Sequence, residues 1–368
     1  FWLKIFCVAM FARLRLTRRH ARHFATSGKV EIYRSGVNNI FFNFAAEEVL
    51  LSTTSAVPRL FLWRNEPTVT IGRHQNPWKE CNLQKLEENK VTLFRRYSGG
   101  GAVLQDLGCT TFTFLNVDAD FSIDRNFDIV TGALKNSFGF NAEKSGRNDI
   151  QIDGKKISGS AFKYGEGVSL HHGTVLVDAN MAALGQYLTP HKKKLQSKGV
   201  ASVAARVTTL KTLSPEVDHD AVCLALAQRF CEIYGADPAT PVTVLDEGSE
   251  MAQSEGFKKW RETYADWNWR FGRTPEFSHV LEERIDGVGL FEVHMQVQAG
   301  VITKCVIFSD SLFPDVVTKL QEALASKNYG SASVQEAVAA VAGEYEAGSP
   351  QMQAAAQFGD WLSAEVGQ

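Results

Sequence analysis

The chain has 368 residues, 44% of them hydrophobic and 22% charged, with a formal net charge of −2. That length accommodates about two domains of ordinary size, and the composition excludes a disordered or collagen-like chain. No apolar run approaches the roughly 18 residues of a membrane span, and the scattered cysteines form neither a CxxC pair nor a zinc-ligand spacing, which points to a reducing compartment.

Residues 1–30 carry Lys4, Arg13, Arg15, Arg18, Arg19, Arg22 and Lys29 and no acid. On a helical wheel Met10, Leu14, Thr17, Ala21 and Phe24 share one side and Arg15, Arg19 and Arg22 lie opposite, the pattern of a mitochondrial transit peptide, with Met10 as a candidate start. The alternative is a basic tail that binds nucleic acid or a membrane surface. Setting 1–30 aside leaves 32 basic against 41 acidic residues, a balance of −9 that argues against nucleic acid as the main partner.

From residue 31 onward the pattern is mixed. Asn43–Leu51 reads as a helix with an asparagine cap and acids in its first turn. Strands follow at Leu60–Trp63 and Thr68–Ile71, then a helix over Trp78–Asn89, and strands at Val91–Phe94 and Thr111–Leu115. Asp153-Gly154 between two alternating segments predicts a type I′ hairpin. Helices are expected over about 180–190 and 219–234. Hairpin-paired strands without regular βα alternation predict an α+β sheet rather than a Rossmann fold. After 267–275 the pattern restarts, with strands at about 277–284, 289–297 and Val301–Phe308, a turn at Ala299-Gly300 and helices at about 315–326, 334–345 and 350–366. This second domain, about 276–368, holds no dense polar cluster and reads as a lid or brace.

The chemistry concentrates between residues 95 and 210. Arg95-Arg96-Tyr97-Ser98-Gly99-Gly100-Gly101-Ala102-Val103-Leu104 places three glycines after a strand, where bare backbone N–H groups approach an anion closely and Arg96 adds a bidentate charge. The run matches neither GxxxxGK[ST] nor GxGxxG, and a tight bend between strands is an equal reading. On the returning arm of the hairpin, strict alternation puts Lys156, Ser158 and Ser160 on one face and Ile157, Gly159 and Ala161 on the other. Lys156, beside small residues, is placed to balance a growing carboxylate or phosphate charge; Lys155 reads as solvated. His171 and His172 point to opposite faces, cannot share one metal, and read as satisfied polar residues. Lys192, Lys193, Lys194 and Lys198 form either a solvated surface or a cover over a nucleotide or acidic partner. No GxSxG, no HExxH and no cysteine with a histidine base is evident.

Trp63 through Asn76, Arg95 through Gly108, Gly146 through Phe162, His171-His172-Gly173-Thr174 and Lys194 through Val203, followed by Phe277-Ser278-His279 and Phe308 through Leu312, together resemble the lipoate–protein ligase and lipoyltransferase family. The likeness runs from about residue 31 to the C-terminus. It implies a catalytic domain of the biotin-ligase and class II synthetase type over 31–272, with a mixed, mostly antiparallel sheet, and a small α+β domain over 276–368. It implies that lipoate attacks the α-phosphate of ATP to give lipoyl-AMP, and that a lysine of a lipoyl domain then takes the lipoyl group. By the same resemblance Lys156 contacts both the lipoyl carbonyl and the phosphate. Arg96 and Gly99, Gly100, Gly101, Ala102, Val103 and Leu104 form the nucleotide-contacting segment, with Arg96 also at lipoate. Arg147 and Thr174 line the adenylate pocket, and Asp149 is a candidate Mg2+ ligand. No bound redox cofactor is implied. The implied acceptors are lipoyl domains of 2-oxoacid dehydrogenase E2 subunits and the glycine-cleavage H-protein in the mitochondrial matrix, with no nucleic acid or membrane partner.

Three departures from the family pattern stand out: Gln105 replaces a usual histidine, Cys109 a common asparagine, and Ala204-Ala205 an Arg-Ser pair near the nucleotide. The last departure favours a second reading, a transferase that uses pre-formed lipoyl-AMP or another lipoyl donor. Octanoate is a further candidate substrate.

Overall fold

A computed structural model describes residues 28–53, 55–75, 77–165, 167–188, 207–270, 279–298 and 301–366. The transit-peptide pattern, the lysine cluster at 192–198, Ala204-Ala205, the 272–276 boundary and the Ala299-Gly300 turn lie outside them.

The strands, in chain order, are β1 (Glu31–Ser35), β2 (Arg59–Trp63), β3 (Thr68–Ile71), β4 (Thr92–Arg95), β5 (Val103–Gln105), β6 (Cys109–Val117), β7 (Glu143–Ser145), β8 (Asp149–Ile152), β9 (Lys155–Lys163), β10 (Val168–Leu176) and β11 (Val242–Leu245). Eight of them form one open sheet in the order β11-β1-β2-β6-β10-β9-β8-β7. β11, β1 and β2 run parallel, and every pairing from β2 to β7 is antiparallel. A small second sheet, β4-β3-β5, carries the glycine run between two of its strands.

Helices cover both faces of the large sheet. On one face lie α1 (Ile40–Ser52) and, later in the chain, α4 (Glu255–Ala265); on the other lie α2 (Ile123–Phe138) and α3 (His219–Tyr234). β6 shows why both faces must be covered. Phe112 and Phe114 pack toward α2 and α3, Leu115 packs toward α1, and all three are fully buried. No helix among the described residues is long and apolar enough to cross a membrane.

α1 begins earlier than the sequence predicts. Its cap is Asn39, whose side chain accepts from the N–H groups of Phe41 and Phe42. Asn43 is buried instead, donating to the carbonyls of Val37 and Arg64 and to Asn65 Oδ1. The acids Glu47 and Glu48 therefore sit in mid-helix and inside the protein. The expected helix over Trp78–Asn89 is broken into Pro77–Glu80 and Leu83–Glu88, because Asn82 caps the second piece through the N–H of Lys85. α2 and α4 were not read from the sequence, although Ser122 and the left-handed Gly139 bound α2 and Ser254 caps α4.

The C-terminal unit is the expected meander, β12 (His279–Ile285), β13 (Gly289–Gln298) and β14 (Val301–Ser309), covered by α5 (Pro314–Leu324), α6 (Ser331–Ala342) and α7 (Pro350–Val366) around its own core. It docks beside the glycine run. Ser309 N–H donates to His74 O, Gly100 N–H donates to Ser311 O at 3.0 Å, and Arg147 donates to the carbonyls of Gly287 and Val288.

Candidate active site

The hairpin β8–β9 turns as its sequence requires: Asp153 and Gly154 both have positive φ, at 50° and 73°. Past the turn the pairing slips. Gln151 faces Lys156, yet Ile150 faces Ser158, so β9 carries one extra residue at Ile157. This β-bulge overturns the strict alternation expected for the strand. Lys156 shares its face with Gly159 and not with Ser158 and Ser160. A Cβ at Gly159 would lie 2.9 Å from Lys156 Nζ, so the glycine is what leaves room for the amine. The ammonium is half-exposed and pairs with Asp149 Oδ1 at 2.7 Å.

Opposite stands the glycine run, and each glycine has a different reason. A Cβ at Gly99 would lie 2.0 Å from Ser311 O, so Gly99 admits the backbone of the small domain. Gly100 takes φ +92°, open to glycine and strained for other residues. Around Gly101 no atom lies within 4 Å of an added Cβ, which leaves its backbone facing open space.

Arg96 departs from its expected role. It is 4% exposed, and its guanidinium donates to Ser98 Oγ (3.1 Å) and to the carbonyls of Thr70 (3.2 Å), Gly99 (2.7 Å) and Gly101 (2.9 Å). Its fork is spent on the loop's own oxygens rather than held free for a bidentate anion. Arg96 fixes the loop's shape and contributes charge; burial lowers its pKa to about 10, leaving it protonated at neutral pH. Arg147 is likewise committed, to the small domain, and lies on neither cavity wall.

Two cavities meet here. The smaller, about 140 Å³, has Phe44, Trp63, Thr70, Gln105, Thr111 and His172 in its wall, together with Arg96, Gly100 and Gly101. The larger, about 600 Å³, is bounded by Leu104, Asp106, Asp149, Asn180 and Met181. Ala102, Val103, Lys156, Gly159 and Thr174 line both, so Lys156 stands at the junction. Gly99 lines neither. Of the residues expected at the site, Lys156, Arg96, Gly100, Gly101, Ala102, Val103, Leu104, Asp149 and Thr174 are brought together; Arg147 and Gly99 serve the domain contact.

Beneath the smaller cavity runs a buried polar chain. Arg96 donates to Ser98 Oγ, Ser98 Oγ lies 2.7 Å from His172 Nε2, and His172 Nδ1 lies 3.0 Å from Glu47. Thr113 donates to Glu47 at 2.6 Å and accepts from Trp63 Nε1. Nδ1–H donates to the Glu47 carboxylate, which has no proton to give, and Ser98 Oγ bridges the Arg96 guanidinium and Nε2. Ser98 is 2% exposed and outside both cavity walls, so this Ser–His–Glu chain braces the loop and offers no nucleophile. Glu47 was missed because an acid in a helix reads as surface; the chain His172–Glu47 is visible only once α1 is laid on β10.

His171, on the opposite face, has no hydrogen-bond partner among the described residues and is ringed by Phe112, Phe114, Phe127 and Phe162. Cys223 Sγ lies 3.5 Å from His219 Nε2. Burial raises that thiol to about 12 and lowers that imidazole to about 4, so the pair is neutral and inert at pH 7. Among the described residues no three His, Cys, Asp or Glu side chains converge on a metal position.

A site with one ammonium at the junction of an aromatic-ended cavity and a larger one suits an acyl group joined to a nucleotide, as in acyl-adenylating ligases. Comparison with known proteins makes this specific. Residues 39–231 match the lipoyl protein ligase A/B catalytic domain, and 274–362 match the bacterial lipoate protein ligase C-terminus. A lipoate-protein ligase A of Psychrobacter cryohalolentis is 46% identical over 305 residues, 82% of this chain and 89% of that protein. The structure of Plasmodium falciparum LipL1 in complex with lipoate superposes with a TM-score of 0.80 at 31% identity, over 91% of this chain and all of that one. A lipoate-protein ligase A bound with ATP gives a TM-score of 0.55 at 26% identity, over 67% of this chain and 98% of that one. The chain belongs to the lipoate–protein ligase A family.

Proposed function

We propose that this enzyme is an ATP-dependent, AMP-forming lipoate–protein ligase. The observation that carries the reading is Lys156 at the junction of the two cavities, with the glycine backbone opposite. The lipoyl chain occupies the smaller cavity and the nucleotide the larger. A carboxylate oxygen of lipoate attacks the α-phosphorus of ATP, the bond to pyrophosphate breaks, and lipoyl-AMP forms. The ε-amine of an acceptor lysine then attacks the lipoyl carbonyl, AMP leaves, and the amine gives up a proton. Lys156 exchanges its bond to Asp149 for the substrate's carboxylate and phosphate oxygens, meeting charge where it develops. The loop braced by Arg96 supplies backbone N–H donors that need no reorganisation.

Magnesium takes one or two carboxylates and otherwise water and phosphate oxygens. Asp149, on the larger cavity's wall, fits that requirement and would hold the ion that neutralises the triphosphate. Lipoyl domains of 2-oxoacid dehydrogenase E2 subunits and H-protein are the proposed acceptors. The proposed compartment is the mitochondrial matrix, supported by the arginine-rich, acid-free residues 1–30; a matrix-import assay with and without 1–30 tests it.

The deciding experiment combines purified protein, lipoate, MgATP and an apo lipoyl domain. Pyrophosphate release with the mass increase of lipoylation is expected. Modification only when lipoyl-AMP is supplied would instead establish a transferase without its own activation step.

A further inference from the structure

The floor of the smaller cavity is a row across four strands. Trp63 of β2 faces Thr111 of β6, Thr111 faces Thr174 of β10, and Thr174 faces Gly159 of β9, under the Lys156 amine. Neighbouring strands stand about 4.8 Å apart, so Thr111 lies about 10 Å from Gly159 and one strand short of Trp63.

Thr111 lines the cavity and is 2% exposed, yet its hydroxyl has no hydrogen-bond partner among the described residues. The contrast with its neighbour is sharp. Thr113, in the adjacent row, is satisfied on both sides by Glu47 and Trp63. Thr70 donates to Gln105 Oε1 at 3.4 Å. Ser160 Oγ is also unpartnered, but it lies with Phe112 against Gly173, on the far face of the sheet. An enclosed hydroxyl without a partner costs free energy that a ligand atom can recover, and one turn about χ1 aims it into the cavity.

We propose that Thr111 is a specificity-determining residue that selects a sulfur-bearing acyl chain over a plain hydrocarbon chain. The inference rests on the ligase reading above. With the carboxyl at Lys156, the four methylenes of lipoate carry the dithiolane ring along the row to Thr111, where its hydroxyl donates a weak bond to a ring sulfur. Octanoate fills the same length but offers no acceptor, so the hydroxyl stays unpaired. A site that loses a hydrogen-bond partner with the wrong substrate discriminates better than one that only measures size.

The test is the ratio of kcat/KM for lipoate to that for octanoate, measured as acyl-AMP formation, together with the ratio of the Kd of a non-hydrolysable octanoyl adenylate analogue to that of its lipoyl counterpart. Thr111→Val, nearly isosteric, lowers both ratios about fivefold or more, chiefly by improving octanoate. Thr111→Ser, which keeps the hydroxyl, holds both within twofold of wild type. Thr111→Ala serves as the second hydroxyl-free variant if the valine protein is insoluble. Unchanged ratios in the hydroxyl-free variants overturn the proposal, as does an equal shift in the serine variant, which would assign the effect to the methyl group. These outcomes leave the ligase reading standing. That reading fails separately, if wild type forms no lipoyl-AMP at all.

Discussion

Lys156 and His171 illustrate opposite uses of a buried or half-buried base. Lys156 keeps access to solvent and a replaceable partner in Asp149. Removing the amine leaves the fold intact, because nothing else is built on its side chain, but deletes the charge aimed at the reacting oxygens. Lys156→Ala is expected to lower kcat/KM for adenylation about a hundredfold to a thousandfold, with an unchanged melting temperature; a loss under tenfold would remove Lys156 from the chemistry. His171 has no partner, and desolvation, with His172 and Lys144 adding repulsion, holds its pKa well below 6.5. A histidine depressed in the folded state gives stability fully present above its unfolded pKa and lost as pH falls below it, at about 1.4 kcal/mol per pH unit. His171→Leu should therefore flatten the decline in urea-unfolding free energy as pH falls from 6.5 to 5, while changing little at pH 7.5. An identical pH slope in the variant would show that His171 titrates freely.

At the scale of elements, the sequence revealed whatever depends on local backbone chemistry and concealed what depends on pairing. Asp153-Gly154 announces its turn because few residues tolerate two positive φ angles. The bulge at Ile157 is invisible to period-two counting, since one added residue exchanges the two faces of everything beyond it. Lys156 was therefore singled out with the wrong neighbours. The same limit applies to Arg96: sequence supplies a charge but not the carbonyls that occupy it. The glycine run shows how the two kinds of information combine. Its three glycines look equivalent in sequence, yet Gly99 meets Ser311 O at 2.0 Å from an added Cβ and Gly101 meets nothing within 4 Å. Gly99→Ala must push the loop and the small domain apart, and a melting temperature lowered by several degrees with faster proteolysis between the domains is expected. Gly101→Ala, in the wall of the smaller cavity, should melt like wild type while raising KM for lipoate. Equal stability of the two variants would contradict this division of labour.

On the scale of the whole molecule, the small domain is more than a brace, because it occupies the N–H of Gly100 and pins residues on the catalytic side. His74 is the centre of that contact. Its backbone carbonyl accepts from Ser309, its Nε2 lies 3.3 Å from Thr318 Oγ1, and its ring is also hydrogen-bonded to the Pro314 backbone. Desolvation lowers its pKa to about 3, with the positive charges of Arg73 and Arg95 acting in the same direction and the Pro314 bond opposing. Asp315 and Lys319 are the titratable groups that α5 contributes nearby. Freed from the small domain, the imidazole regains water and titrates near 6.5. The sign follows directly: docking is fully favourable above about pH 6.5 and weakens by about 1.4 kcal/mol for each unit below it, as long as the docked pKa is not reached. Small-angle scattering should show the radius of gyration rising between pH 7 and pH 5 in wild type and staying level in His74→Gln, whose side chain keeps hydrogen-bonding capacity without the titration. A rise of the same size in both proteins would place the pH-sensitive contact elsewhere, and the glycine loop would then be governed by a different part of the interface.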